Sequence, residues 1–157
     1  MLTGIADERA LGEAVDSLQV VIDELGLGSG RILLQQTLVG RELIFGLERD
    51  PSFGPIVMFG IGGTLVEALK DVAFAVAPIS ATTANQTIRS IRAFPLLGAF
   101  RGQTALDLDP LAGTLTALGQ LGLDLPQIAE IDLNPVIADG ASAAAVDILI
   151  KLKDSTA

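Results

Sequence analysis

The sequence contains no cysteine and no histidine. Without cysteine there is no disulfide scaffold, no thiolate zinc site and no cysteine nucleophile. Without histidine these residues hold no Ser-His-Asp triad, no histidine base or ligand, and no histidine phospho-carrier. Aromatic residues are also scarce, at 4% of 157, while half the chain is hydrophobic. The core must therefore be aliphatic, built from Leu, Ile, Val and Ala. Basic residues are outnumbered 10 to 19 by acidic ones, for a net charge of −9. Non-specific nucleic-acid binding needs basic surface to displace counterions, so no nucleic-acid partner is expected. A nucleotide ligand stays open, because backbone N–H groups and a metal ion can meet its phosphates. No run is apolar for long enough to span a bilayer, so no membrane is expected. The opening MLTGIADERA lacks the basic start and long apolar run of a signal peptide, which makes the cytoplasm the expected compartment. Chemistry must come from carboxylates, amides, Arg, Lys and the backbone.

What is present reads as one domain of mixed elements. Leu11, Ala14, Val15, Leu18, Val21, Ile22 and Leu25 fall on one helical stripe between Asp7, a plausible N-cap, and Gly26, a plausible stop. Arg31 to Thr37 is strand-like, Leu43, Phe45 and Leu47 alternate with Glu42, Ile44 and Gly46, and Ile56 to Phe59 is a short buried run. Asp50 to Pro55 reads as a turn. The connections are too short for helical crossovers, so an antiparallel meander is expected. After the glycine-rich Gly60 to Thr64 and a short segment, Leu65 to Lys70, Val72 to Val76 reads as a strand. Helices are expected over Thr82 to Ala93 and Asp107 to Leu121, then strands over Ile128 to Leu133, Val136 to Ala138 and Ala144 to Ile150. The last two are joined by a hairpin-type turn at Asp139-Gly140. This pattern predicts an α+β fold with helices against a largely antiparallel sheet. The tail, 153–157, is expected to fray.

Three stretches can carry chemistry. In AEIDLNPV, residues 129–136, Glu130, Asp132 and Asn134 stand at every second position, about 6.6–7 Å apart on one face of a strand. Such hard oxygen donors suit Mg²⁺ with phosphate oxygens completing its shell. If the following strands form a hairpin, Asp147 returns close to Asn134. The same alternation belongs to any half-exposed strand, so a merely solvated face fits the spacing equally. In FGIGGTLVE, residues 59–67, closely spaced glycines can turn N–H groups toward an anion, or simply make a turn; the pattern is not a P-loop. Gly40-Arg41-Glu42 and Phe100-Arg101-Gly102 each offer an arginine, a good phosphate or carboxylate clamp that is equally at home on a plain surface.

Taken together, GRELIFGLERDPSFGPIVMFGIGGTLVEALKDVAFAVAP, LLGAFRGQTALD and EIDLNPVIADG occur in an order that resembles the ATP-grasp domain of NDP-forming acyl-CoA synthetases. These include the ADP-forming acetyl-CoA synthetase β subunits, which are cousins of succinyl-CoA synthetase. The resemblance covers about residues 2–152, and its most specific parts are FGxGG…VE…KD and EIDLNP. It implies a partial ATP-grasp domain, the C-terminal portion, that binds ATP or ADP with Mg²⁺. It further implies reversible conversion of acyl-CoA, ADP and phosphate to acid, CoA and ATP through an acyl phosphate and a phosphohistidine. By resemblance, Asn134 and Asp147 match metal-facing positions, and Asp132 and Glu67 match acids near the transferred phosphoryl group. Glu42 and Arg101 match further motif positions, and Gly62 and Gly63 belong to the glycine turn beside the nucleotide.

The departure is that the family's N-terminal half, with its nucleotide-gripping lysine and phospho-carrying histidine, has no counterpart here. Lys70 belongs to the VEALKD motif, and Lys151 and Lys153 read as tail. The expectation is a chain incomplete for catalysis alone, working within an acid–CoA ligase whose CoA-binding domain or subunit lies elsewhere. The apolar surface left by a missing half favours a homo-oligomer. The alternative is a non-catalytic regulatory or interaction module, such as the synthetase-like part of a protein acetyltransferase.

Overall fold

The computed structural model describes residues 1–28, 30–63, 70–100 and 102–153. They fall into two compact units, Met1–Thr37 and Leu38–Ala157. In the first, helix α1 spans Glu8–Glu24. Asp7 caps it by accepting from the Ala10 N–H at 2.8 Å. At the other end Gly26 takes a left-handed φ of 64°, which ends the helix. The strand expected over Arg31 to Thr37 does not form: residues 30–39 pair with no strand. An apolar run is a strand only where a neighbour accepts its backbone bonds.

The second unit is built on a six-stranded antiparallel sheet. Its strands are β1 (Arg41–Asp50), β2 (Gly54–Ile61), β3 (Val72–Val76), β4 (Ile128–Asp139), β5 (Ser142–Ala145) and β6 (Ile148–Leu152). The order is β3-β2-β1-β4, with β5 and β6 both pairing with β4. The β1–β2 turn is fixed by Asp50, whose Oδ1 accepts from the N–H groups of Ser52 and Phe53. Helices α2 (Ala81–Ser90) and α3 (Leu108–Asp124) pack on one face of the sheet. One set of alternating residues on β1 and β2 therefore faces these helices. Leu43, Phe45, Leu47, Val57 and Phe59 join Ile88, Leu111 and Leu115 in the core. The α+β expectation of a largely antiparallel sheet against helices holds.

The strands around Pro135 differ from the sequence reading in two ways. Val136 to Ala138 is no separate strand but the continuation of β4 through Pro135. The run Ala144 to Ile150 splits at Val146-Asp147 into β5 and β6. The split falls opposite Pro135. Pro135 has no N–H to donate, so the ladder breaks there and resumes on either side.

Helix α3 lies close to the sheet because Gly122 has no side chain. A Cβ there would sit 2.6 Å from Leu47 Cδ1 and 2.8 Å from Pro55 Cβ. Arg49 locks the same corner, donating to the carbonyls of Gly122 at 2.5 Å and Ile128 at 3.1 Å. A guanidinium suits the last turn of a helix, whose carbonyls lack partners and carry partial negative charge. Arg49→Ala is expected to cost about 1.5–3 kcal/mol, the usual worth of charge-assisted bonds to carbonyls. Arg49→Lys should restore only part of it, since a point charge cannot span the carbonyls a fork reaches. Chemical denaturation followed by circular dichroism reads both; full recovery with lysine would contradict the fork argument. No helix among the described residues is long and apolar enough to cross a membrane.

Candidate functional site

The face of the sheet away from α2 and α3 carries a groove of about 360 Å³, lined by Ile44, Gly46, Met58, Phe74, Glu130 and Asp132 among others. Its floor is low at Gly46, where a Cβ would lie 3.2 Å from Met58 Cε. Gly46 pairs with Asp132 of β4, and Asp132 pairs on its other side with Leu149 of β6. Ile131, between Glu130 and Asp132, is buried in the core. The alternation seen in the sequence thus sets Glu130 and Asp132 on the open face.

Past Asp132 the sheet changes character. On the β1 side, Leu43 pairs with Val136 and Phe45 with Leu133, so Ile44 alone opposes Asn134 and Pro135. That is a β-bulge, a device that bends a strand and re-aims a side chain beside a site. On the other side, Leu133 pairs with Ile148 and Val136 with Ala145. Asn134 and Pro135 therefore stand opposite Asp147 and Val146, and the Val146 N–H donates to the Pro135 carbonyl at 2.9 Å. The hairpin brings Asp147 back to Asn134. One oxygen of Asp147 is held by the Ile148 N–H at 2.9 Å.

The electrostatics follow from this crowding. The Asp132 carboxyl is pushed above its ordinary range, first by desolvation and then by the charges of Glu130 and Asp147; Lys151 acts in the opposite direction. Glu130 is itself bonded to Lys151, Nζ to Oε2 at 2.6 Å.

Glu42 lies further along the same face, four residues from Gly46 and so about 13 Å from it. Gly62 and Gly63 pack against it. The Gly62 N–H donates to the Glu42 carbonyl at 2.6 Å, and a Cβ on Gly62 would meet backbone at 2.9 Å. This N–H is spent on the sheet and is not turned toward an anion. Gly62 serves close approach, and Gly63 sits at φ +79° beside the Glu42 carboxylate.

Arg41 is not a clamp for a ligand. Its guanidinium donates to Leu97 O at 2.7 Å, Thr104 O at 2.5 Å and Gln103 Oε1 at 3.1 Å. It ties β1 to the 97–104 loop, in which Phe100 and Gln103 form an antiparallel bridge. Glu67 and Arg101 lie outside the described residues, as does the tail beyond Lys153. Lys151, read from sequence as tail, is inside β6. The signal for it was the apolar run Ile148-Leu149-Ile150 leading into Leu152, strand-like on both sides of the lysine.

Residues 2–152 match the family model described as an ATP-grasp domain. The chain belongs to the ATP-grasp family. Similar proteins include the Pyrococcus furiosus acetate–CoA ligase (ADP-forming) I subunit beta, 49% identical over 118 residues, covering 75% of this chain and 51% of that subunit. The Archaeoglobus fulgidus acetate–CoA ligase (ADP-forming) I is 44% identical over 72% of this chain and 16% of its own length. Among solved structures, a Ca. Korarchaeum cryptofilum dinucleotide-forming acetyl-coenzyme A synthetase 1 is 45% identical with a TM-score of 0.72, over 74% of this chain and 55% of that one. That protein is in complex with coenzyme A and Mg-AMPPCP, its phosphohistidine segment pointing towards the nucleotide binding site. The same organism's ACD1 in complex with coenzyme A matches over 97% of this chain and 67% of its own, with a TM-score of 0.81 and 37% identity. The chain spans about half the length of the Pyrococcus subunit and about a sixth of the Archaeoglobus protein.

The donor set of this ATP-grasp domain can be tested against Mg²⁺. Among the described residues no three carboxylates gather closely enough to hold a metal unaided. Mg²⁺ does not ask for that; it takes one or two carboxylates with waters and phosphate oxygens. The charge of Asp147 adds to the cost of ionising Asp132, and a dication bound at this face would remove that cost. Two carboxylates with the Asn134 amide opposite fit the ion on chemistry. The groove beside them lies within the usual range of small-molecule sites, roughly 300–1,000 Å³.

Proposed function

We propose that this ATP-grasp domain holds the magnesium-nucleotide of an ADP-forming acid–CoA ligase. Its place is in phosphoryl transfer between nucleotide and a phosphohistidine carried elsewhere. The observation that carries this reading is Asn134 opposite Asp147 across the β4–β6 break, with Asp132 beside them over an open groove. In this reading Asn134 and Asp147 hold the metal, while Asp132 faces the transferred group. Glu42 and Gly63, further along the same face, are assigned to the nucleotide, and so by their motif positions are Glu67 and Arg101. Phosphoryl transfer asks little covalent help from side chains and much positioning and charge neutralisation, which a histidine-free chain can supply. Mg²⁺ bound here would neutralise and bridge phosphate oxygens.

These 157 residues contain no histidine, so in this reading the phospho-carrier belongs to another domain or subunit, and the CoA site is assigned there with it. Apolar side chains exposed along β6, among them Ile148, Ile150 and Leu152, support such a partner. Calorimetric titration with Mg-ADP and Mg-ATP should show binding that EDTA abolishes and that Asn134→Ala weakens. Binding indifferent to both would overturn the assignment. ADP-forming turnover by the chain alone would overturn the division of labour.

A further inference from the structure

Among the described residues Lys151 is a cation on this face to which the proposed function assigns no part. Glu48, Asp50, Glu130 and Asp132 line the groove, and Asp147 borders it. A phosphate-bearing ligand entering there meets a wall of like charge. The two arginines of β1 cannot swing to meet it, because Arg41 and Arg49 are tethered to backbone carbonyls. Lys151 is placed otherwise. It pairs with Glu130 across the β4–β6 ladder, one step along from the Asp132–Leu149 pair. Its side chain therefore stands on the open face with the acids.

We propose that Lys151 is a phosphate-binding residue of this site, its ammonium leaving the Glu130 carboxylate for a phosphate oxygen of the bound nucleotide. The inference rests on the nucleotide reading above. Three features support it. The Lys151–Glu130 pair is exposed, 56% and 39% by side chain, and exposed ion pairs hold their partners weakly. A lysine has a flexible stem and three rotatable donors, so a short swing re-aims it without moving the strand. The charge of Lys151 is also felt at Asp132, which places it within electrostatic reach of the acid assigned to the transferred group. Glu130, left unassigned by the sequence, then has a role: it stores the ammonium beside the site and competes with the phosphate for it.

Competition gives a test that a structural ion pair cannot imitate. Lys151→Met and Glu130→Gln break the same bond, so a structural role moves both variants in one direction. Competition moves them in opposite directions. In calorimetric titrations with Mg-ADP at physiological salt, Lys151→Met should weaken binding about tenfold or more, the scale of one charge-assisted bond. Glu130→Gln should tighten it several-fold, and Lys151→Arg should keep most of the affinity. Removing an acid also tightens a polyanion through space, so the double variant decides between the two causes. If Lys151 moves to the phosphate, the gain from Glu130→Gln shrinks when Lys151 is already Met. Adenosine, without phosphates, should bind all five forms alike. Thermal melts without nucleotide should stay within a few degrees across the set, showing that folding is intact. Mg-ADP binding that Lys151→Met leaves within twofold overturns this inference alone. A wild-type chain that does not bind Mg-ADP overturns it together with the nucleotide reading.

Discussion

Replacing Phe45 with alanine is expected to lower the unfolding free energy by about 3–5 kcal/mol, the range for emptying a fully buried aromatic site. Phe45 is wholly inaccessible and lies at the middle of β1, the strand on which the sheet is centred. It pairs with Phe59 of β2 on one side and Leu133 of β4 on the other. The two rings meet edge to face with centroids 5.1 Å apart, which adds to the burial. The surrounding core is aliphatic, and there are only six Phe and no Trp in the whole chain. Leucines and valines held by strand and helix cannot collapse into a ring-sized void, so the cavity cost stays near its upper range. Phe53 is the control: it lies exposed in the β1–β2 turn, and Phe53→Ala should change stability by less than about 0.5 kcal/mol. With no Trp or Tyr to report by fluorescence, urea denaturation followed by far-UV circular dichroism is the measurement. A loss near 1 kcal/mol for Phe45→Ala would show a core that repacks.

That core was legible in the sequence because its evidence is local. Leu43, Phe45 and Leu47 alternate with Glu42, Ile44 and Gly46, and a period of two sorts the faces without knowledge of the partner. The site was legible for the same reason at Glu130 and Asp132, and a turn at Asp139-Gly140 was enough to return Asp147 to Asn134. What failed needed a distant neighbour. Arg31 to Thr37 has the right residues for a strand and no strand to pair with. Arg41 looks like a free clamp until carbonyls 56 and 63 residues away are placed beside it. Lys151 looked like tail because a single charge near a terminus reads as solvated, although its backbone is bound into β4. Gly122 carried no signal at all; only the packing of Leu47 and Pro55 against α3 shows why a side chain is excluded there.

Asp132→Asn should stabilise the nucleotide-free protein near neutral pH and weaken Mg-nucleotide binding by about 10–100-fold, the loss of one charged contact. Burial, and then the neighbouring Glu130 and Asp147, hold the Asp132 carboxyl above its ordinary range in the folded chain. The folded state therefore binds the proton more tightly than the unfolded state does. The resulting stability is fully present below the unfolded pKa and is lost as pH rises through the higher folded value. Above that window the wild type carries a carboxylate that costs stability, and asparagine carries none. The difference in melting temperature, variant minus wild type, should thus grow from mildly acidic pH to neutrality in EDTA. Added Mg-ADP reverses the order, because a ligand that binds only the folded state stabilises it by mass action and the wild type binds more. Asp147→Asn should share the loss of binding. The gain in EDTA follows from the upward displacement of the Asp132 carboxyl. A variant less stable than wild type at neutral pH in EDTA would mean that Asp132 holds the strand together rather than waiting for a cation. The reversal with Mg-ADP would mean that the charge crowded onto this face is kept for a ligand and not for the fold.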